Sequence, residues 1–147
     1  MMEKNITVTT CTDADKVYDF LLRIDKTLPV PLSERVNVAK FASRAVERSI
    51  VFAIEDQNQL AATALFYYNF QKMPFAYLDL LATAPGYGGR GYASLLMNAI
   101  EDAARKAGMT EFHLHTNDTN HAAVALYTKR GYEVISTEHK LQMRKVL

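Results

Sequence analysis

The chain has one cysteine, Cys11, so no disulfide can form within it. No stretch approaches the roughly 18 apolar residues of a membrane-spanning helix. The opening segment, Met1 to Thr10, lacks the apolar core of a signal peptide. Charge of one sign is not in excess: 17 basic and 16 acidic residues leave a net +1. That balance gives no reason to expect nucleic acid or a membrane surface as a partner. There are no internal repeats, low-complexity tracts or linkers. These absences leave a soluble cytoplasmic protein as the expectation. Hydrophobic residues make up 49% of 147, and a chain of this size buries roughly 70% of its unfolded surface. One domain over residues 1–147 is therefore expected.

The pattern along the chain sorts into two halves. Ile6 and Val8 among threonines suggest a short first strand. Thr12 or Asp13 can cap a helix with Val17, Phe20, Leu21 and Ile24 on one side. Pro29 and Pro31 break the chain into a loop. Ser33 can cap a second helix, with Val36, Val38, Phe41, Ala45 and Val46 as apolar positions. Ile50–Ile54 and Leu60–Tyr68 flank a turn from Asp56 to Gln59 and read as a hairpin. Phe75–Thr83 makes a further strand. After it come a glycine-rich turn, Pro85 to Gly91, and a helix whose apolar face is Tyr92, Leu95, Leu96, Ala99, Ile100, Ala103 and Ala107. Gly108 sits where a left-handed cap ends a helix. Thr110–Thr116 is a strand, Asn120 can cap a short helix ended by Gly131, and Tyr132–Ser136 with His139–Val146 form a last strand pair. Antiparallel strands followed by a strand–helix–strand crossover define an α+β fold around a mixed sheet.

The turn carries the first chemical signal. Pro85-Gly86-Tyr87-Gly88-Gly89-Arg90-Gly91-Tyr92-Ala93 joins a strand end to a helix start. Free backbone N–H groups and the positive end of the helix dipole favour an anion there. Small residues let a phosphate approach without meeting a Cβ. Gly86-x-Gly88-x-x-Gly91 formally matches the dinucleotide fingerprint. That fingerprint belongs in the first strand–helix–strand unit of a parallel sheet, with an acidic residue about 20 positions on, at the end of the next strand. Here the turn follows an antiparallel set, and Glu111 opens its strand instead of ending it.

A longer match is more specific. The segment Leu80 to Leu96, together with Asn120 to Tyr132, resembles the GNAT superfamily of N-acetyltransferases. That family's turn signature is Arg/Gln-x-x-Gly-x-Gly/Ala, read here as Gly88-Gly89-Arg90-Gly91-Tyr92-Ala93. Gly91 and Ala93 match, while Gly88 replaces the usual Arg or Gln. Asn120-x-x-Ala123-x-x-Leu126-Tyr127-x-x-x-Gly131-Tyr132 is similar to the family's second signature. The resemblance implies a GNAT-type acyl-CoA N-acyltransferase fold, with a mixed, mostly antiparallel sheet flanked by about four helices.

It also implies a chemistry: transfer of acetyl from acetyl-CoA to a primary amine, small-molecule or peptide, by direct attack in a ternary complex. Carried over, the backbones of Leu81 and Thr83 pair with the pantetheine arm, and Asn120 hydrogen-bonds it. Gly88, Gly89, Arg90, Gly91, Tyr92, Ala93 and Ser94 hold the pyrophosphate, with Arg90 either adding charge or lying solvated. Tyr127 matches the general acid that protonates the leaving thiolate. An alkyl amine of pKa about 10.4 costs around 4–5 kcal/mol to deprotonate at pH 7, so a base matters too. His115 is one candidate, with a pKa suited to neutral pH. Asp79, sharing a strand face with Tyr77, is the other, through a water relay. His113 lies on the face of His115 by strand alternation, so one of the two histidines can be structural. The histidine pair has no third metal ligand at a usual spacing, so no metal is expected. Tyr67, Tyr68, Phe70 and Phe75 permit an apolar or cationic acceptor. The substrate face is expected from the Lys26–Ser33 loop, Tyr67–Phe70 and the last hairpin.

Cys11 is far from both motifs in sequence, which gives no support to a covalent cysteine intermediate. Gly88 and the lack of an evident base motivate a second possibility, a non-catalytic acyl-CoA sensor. A homodimer is a common assembly for a small enzyme, and nothing in the sequence decides it.

Overall fold

The computed structural model describes residues 6–28 and 30–147. Residues 1–5, and Pro29 with its expected role as a breaker, lie outside them. The elements are β1 (Thr9–Thr10), α1 (Ala14–Ile24), α2 (Val38–Arg48), β2 (Ile50–Asp56), β3 (Gln59–Asn69), β4 (Phe75–Thr83), α3 (Tyr92–Lys106), β5 (Glu111–Thr116), α4 (His121–Lys129), β6 (Glu133–Ser136) and β7 (Leu141–Val146). The strands form one sheet in the order β1-β2-β3-β4-β5-β7-β6. The β4–β5 pair is parallel, and the β1–β2, β5–β7 and β6–β7 pairs are antiparallel. The sheet is mixed and, among the described residues, four α-helices accompany it, as the resemblance implies.

Two compact units make up the chain: residues up to Leu65 with Leu80–Ala99, and Phe66–Asp79 with Ile100–Leu147. In the first, Asp13 caps α1 by accepting from the amides of Asp15 at 2.9 Å and Lys16 at 3.4 Å. Such a cap contributes about 1 kcal/mol. Val17, Phe20, Leu21 and Ile24 of α1 are buried with Val38, Ala42 and Ala45 of α2 and Val51, Ala53, Leu60 and Leu65 of the hairpin. The hairpin turns through Gln57 and Asn58 at φ +50° and +67°, the left-handed pair that a two-residue loop between twisted strands requires.

One expectation narrows here and one fails. The first strand pairs through Thr9 and Thr10, opposite Ala53 and Phe52, and not through Ile6 and Val8. Long-range pairing decides it: Cys11 also donates to the Val51 carbonyl at 2.8 Å. Ser33 does not cap α2. It lies in a 3₁₀ turn, Leu32–Glu34, and its hydroxyl donates to the Asp25 carboxylate at 2.6 Å. Helix α2 starts later, where Asn37 accepts from the Lys40 amide at 3.0 Å, and Val36 is left exposed before it.

The second unit is built on β5. Its register with β4 runs from Phe75↔Glu111 to Leu78↔Leu114, and with β7 from Glu111↔Val146 to Thr116↔Leu141. Phe66 and Phe112 are fully buried, with ring centroids 6.1 Å apart. Gly108 and Gly131 take φ of +90° and +96° and end α3 and α4, and Asn120 caps α4 by accepting from the Ala123 amide at 3.2 Å. The buried side of α3 is turned from the predicted stripe. Tyr92, Leu96 and Ile100 are buried as expected, but Met97, Glu101 and Ala104 join them, while Leu95 is exposed. The reason is Glu101, polar yet only 2% exposed. Its carboxylate accepts from Lys145 at 2.8 Å, Arg130 at 3.0 Å and the Tyr132 hydroxyl at 2.9 Å. A buried charge satisfied on all sides can occupy a face that patterning assigns to apolar residues.

Candidate active site

The glycine turn belongs to the first unit. Gly86, Gly89 and Gly91 take φ of +91°, +77° and +78°, a region that side-chain-bearing residues rarely adopt. A Cβ added at Gly86, Gly88, Gly89 or Gly91 meets nothing within 4 Å, so the turn has an open face. The chain enters it on a Tyr87 amide to Ala84 carbonyl bond of 3.1 Å and leaves it on a Leu95 amide to Gly91 carbonyl bond of 3.1 Å. Between these, the amides from Gly88 to Ser94 make no hydrogen bond among the described residues. Open space plus unspent N–H donors at a helix start fits a phosphate group.

Arg90 is exposed but not free. Its guanidinium donates to the Gly86 carbonyl at 3.2 Å and lies 4.9 Å from the centre of the Tyr87 ring. Tyr87 in turn donates to Asp56 at 2.6 Å and stacks toward Tyr92 at 6.3 Å. Tyr87 is the residue that sequence reading missed; a tyrosine between two glycines of a turn is the signal that could have found it.

The parallel ladder ends at Leu78 and Leu114, whereas β4 runs on to Thr83 and β5 to Thr116. Leu81 and Thr83 lie on β4 beyond those ladder residues, in the first unit, and both are half-buried.

In the second unit, strand alternation puts Phe75, Tyr77 and Asp79 on one face with Glu111, His113 and His115. The two histidines have different surroundings. His113 is held by Glu111 at 2.9 Å and stacks on Phe75 at 4.6 Å, and Arg144 lies 3.6 Å from the same Glu111. His113 is thus the structural one, and Glu111 is spoken for. His115 is exposed, and its Nδ1 lies 2.6 Å from the Tyr77 hydroxyl. Partial burial, with Lys140 and His113 nearby, holds the His115 pKa below the usual imidazole value. Tyr67 lies beside Tyr77, with ring centroids 5.4 Å apart. Burial raises both tyrosine hydroxyls, and the Asp79 charge adds to both. Asp79 makes no ion pair or hydrogen bond among the described residues. Water reaches its side chain, yet the surrounding protein removes enough hydration to raise its carboxyl above the ordinary range.

Asn120 spends its side-chain oxygen on the α4 cap, which leaves its N–H₂ as a donor. Tyr127, near the end of α4, is 7% exposed. Its hydroxyl makes no hydrogen bond among the described residues and is not sealed from solvent. Burial pushes its pKa up to about 12, so it carries its proton at neutral pH. Among the described residues no group of three His, Cys, Asp or Glu could hold a metal, and no helix is long and apolar enough to cross a membrane.

The acetyltransferase (GNAT) family model matches residues 16–132. The chain belongs to this family of acetyltransferases, which act on amine acceptors. Solved structures share the fold across nearly the whole length. The PaiA N-acetyltransferase of Thermoplasma acidophilum, in complex with coenzyme A, superposes with a TM-score of 0.77 at 14% identity, covering 98% of this chain and 100% of its own. A GNAT acetyltransferase of Elizabethkingia anophelis with acetyl-CoA bound gives 0.74 at 13%, covering 99% and 100%. One from Staphylococcus aureus Mu50 gives 0.78 at 11%, covering 97% and 99%. No curated protein matches the sequence.

Proposed function

We propose that this chain is an acetyl-CoA-dependent N-acetyltransferase that acylates a primary amine by direct attack in a ternary complex. The observation that carries the reading is the run of unpartnered amides from Gly88 to Ser94 on an open face. Those amides would hold the pyrophosphate, with the backbones of Leu81 and Thr83 and the Asn120 N–H₂ taking the pantetheine arm. Arg90 acts by bracing the turn. Acetyl-CoA supplies an activated thioester whose sulfur needs a proton as it leaves. Tyr127 keeps its proton at neutral pH and gives it to that sulfur, a role worth about 10²–10⁴-fold in general acids. On the acceptor side, His115 serves the proton and Asp79, an unpaired carboxylate, draws the ammonium. The family model crosses both compact units, which supports one N-acetyltransferase domain over 1–147.

The test is titration calorimetry with acetyl-CoA, joined to thiol release over a broad panel of primary amines. Binding together with release on at least one amine is the expected result. Binding without release on any amine favours the sensor reading that Gly88 motivates, and no binding overturns both.

A further inference from the structure

The bond between Tyr77 and His115 is short, 2.6 Å from hydroxyl oxygen to Nδ1. A phenol is the better donor of the two and an imidazole nitrogen the better acceptor, so the hydroxyl donates and the neutral ring carries its own proton on Nε2. Both nitrogens of His115 are then engaged: Nδ1 by the Tyr77 proton, Nε2 by its own. While that bond holds, a further proton enters the pair at the Tyr77 oxygen, through its remaining lone pair.

We propose that Tyr77 is the group that takes the acceptor's proton, passing its own hydroxyl proton to His115 Nδ1 in the same step. The inference rests on the N-acetyltransferase reading and assigns its acceptor side. The acceptor's ammonium first loses one proton to solvent; as the resulting neutral amine bonds to the acetyl carbon and the carbon–sulfur bond breaks, the nitrogen sheds its second. That proton goes to the Tyr77 oxygen, the Tyr77 proton goes to Nδ1, and His115 becomes imidazolium. The sulfur takes the Tyr127 proton. Exposed His115 returns its proton to solvent, and Tyr127 regains one, which closes the cycle.

The groups facing the pair agree with this direction. From β3, Tyr67 packs on Tyr77. From β4, Asp79 follows Tyr77 on the same face, and its charge reaches the Tyr77 hydroxyl. From the segment before β7, Lys140 faces His115, and His113 does so from its own strand. Partial burial first, then Lys140 and His113, lowers the His115 pKa, which favours the neutral ring before the reaction. His113, tied to Glu111, is not part of the relay.

Two measurements test the proposal. Nitrogen-15 NMR of the histidine rings in the free protein should show neutral His115 protonated on Nε2. A ring protonated on Nδ1 overturns the relay, because Tyr77 would then have no site to pass its proton to. Thiol release at saturating acetyl-CoA is then compared across alkyl amines, polyamines, and peptides offering a lysine or a free N-terminus. Tyr77→Phe and His115→Gln should each lower kcat about 100-fold and leave acetyl-CoA affinity unchanged. The double variant should be no slower than either single, as for groups that act as a unit. The acid limb of wild-type kcat, below pH about 6.5, should vanish in both. Full rate with a retained limb in Tyr77→Phe overturns the relay alone. Silence of the wild type across the panel overturns the transferase reading and the relay with it.

Discussion

The rings of Tyr127 and Tyr132 meet edge-on, with centroids 5.7 Å apart, yet their hydroxyls have opposite fates. That of Tyr132 is spent on Glu101 at 2.9 Å, while that of Tyr127 has no partner among the described residues. One tyrosine anchors the end of α4, and the other keeps its hydroxyl unspent among the described residues.

Tyr127→Phe should therefore separate chemistry from stability. The variant removes an oxygen with no bond to lose, so the melting temperature should stay within a few degrees. Turnover should fall at least about tenfold with modest change in acetyl-CoA affinity. Steady-state thiol release, with calorimetry for the cofactor, checks it; unchanged turnover removes Tyr127 from the acid role.

Glu101→Ala should destabilise by about 3–5 kcal/mol, the usual consequence of stripping one side from a buried ion pair. For a chain of this length that is a drop of roughly 10 °C in melting temperature. Thermal unfolding followed by circular dichroism measures it.

The same carboxylate sets an acid limit. Burial pushes the Glu101 pKa up, but bonds from Lys145, Arg130 and Tyr132 outweigh it, and the net shift is downward. A lowered folded-state pKa means that the unfolded chain binds the proton first. The stabilisation is complete above the unfolded value of about 4.3 and is lost as pH falls through the folded value. Stability below about pH 4.3 should thus fall less steeply in Glu101→Gln than in wild type. Urea unfolding from pH 3 to 6 gives the comparison, and parallel slopes would count against the assignment.

Positions 88 and 91 should respond in opposite ways. Gly91 has φ +78°, so Gly91→Ala forces a side chain into the left-handed region at about 1–2 kcal/mol and should weaken acetyl-CoA binding about tenfold. Gly88 is not at positive φ, and a Cβ there meets open space. Gly88→Arg should fold normally and, by adding a charge-assisted bond of about 1.5–3 kcal/mol, tighten binding at least about tenfold. Calorimetric dissociation constants for the two variants decide both.

Much of the fold is legible in single segments. Asp13, Asn120, Gly108 and Gly131 cap or end their helices where the sequence places them, because a cap depends on the φ/ψ of a few adjacent residues. Strand β4 begins and ends as predicted. Where the reading fails, a distant group has intervened. Ser33 is drawn to Asp25 and not to the next helix. Thr9 and Thr10 pair because β2 offers its edge to them and not to Ile6 and Val8. Glu101 turns the buried side of α3 because two cations and a hydroxyl from other elements meet it.

The candidate site divides in the same way. The glycine turn is a local matter: three left-handed glycines before a helix fix the direction of their amides, and the sequence by itself determined where that turn lies. The second signature likewise marked Asn120 and Tyr127. Only the tertiary structure decided which histidine is tied down and which is available. Alternation puts His113 and His115 on one face, but the parallel register of β4 on β5 is the sum of many non-local contacts. That register gives His113 to Phe75 and Glu111, and His115 to Tyr77. No short window of sequence contains that sum.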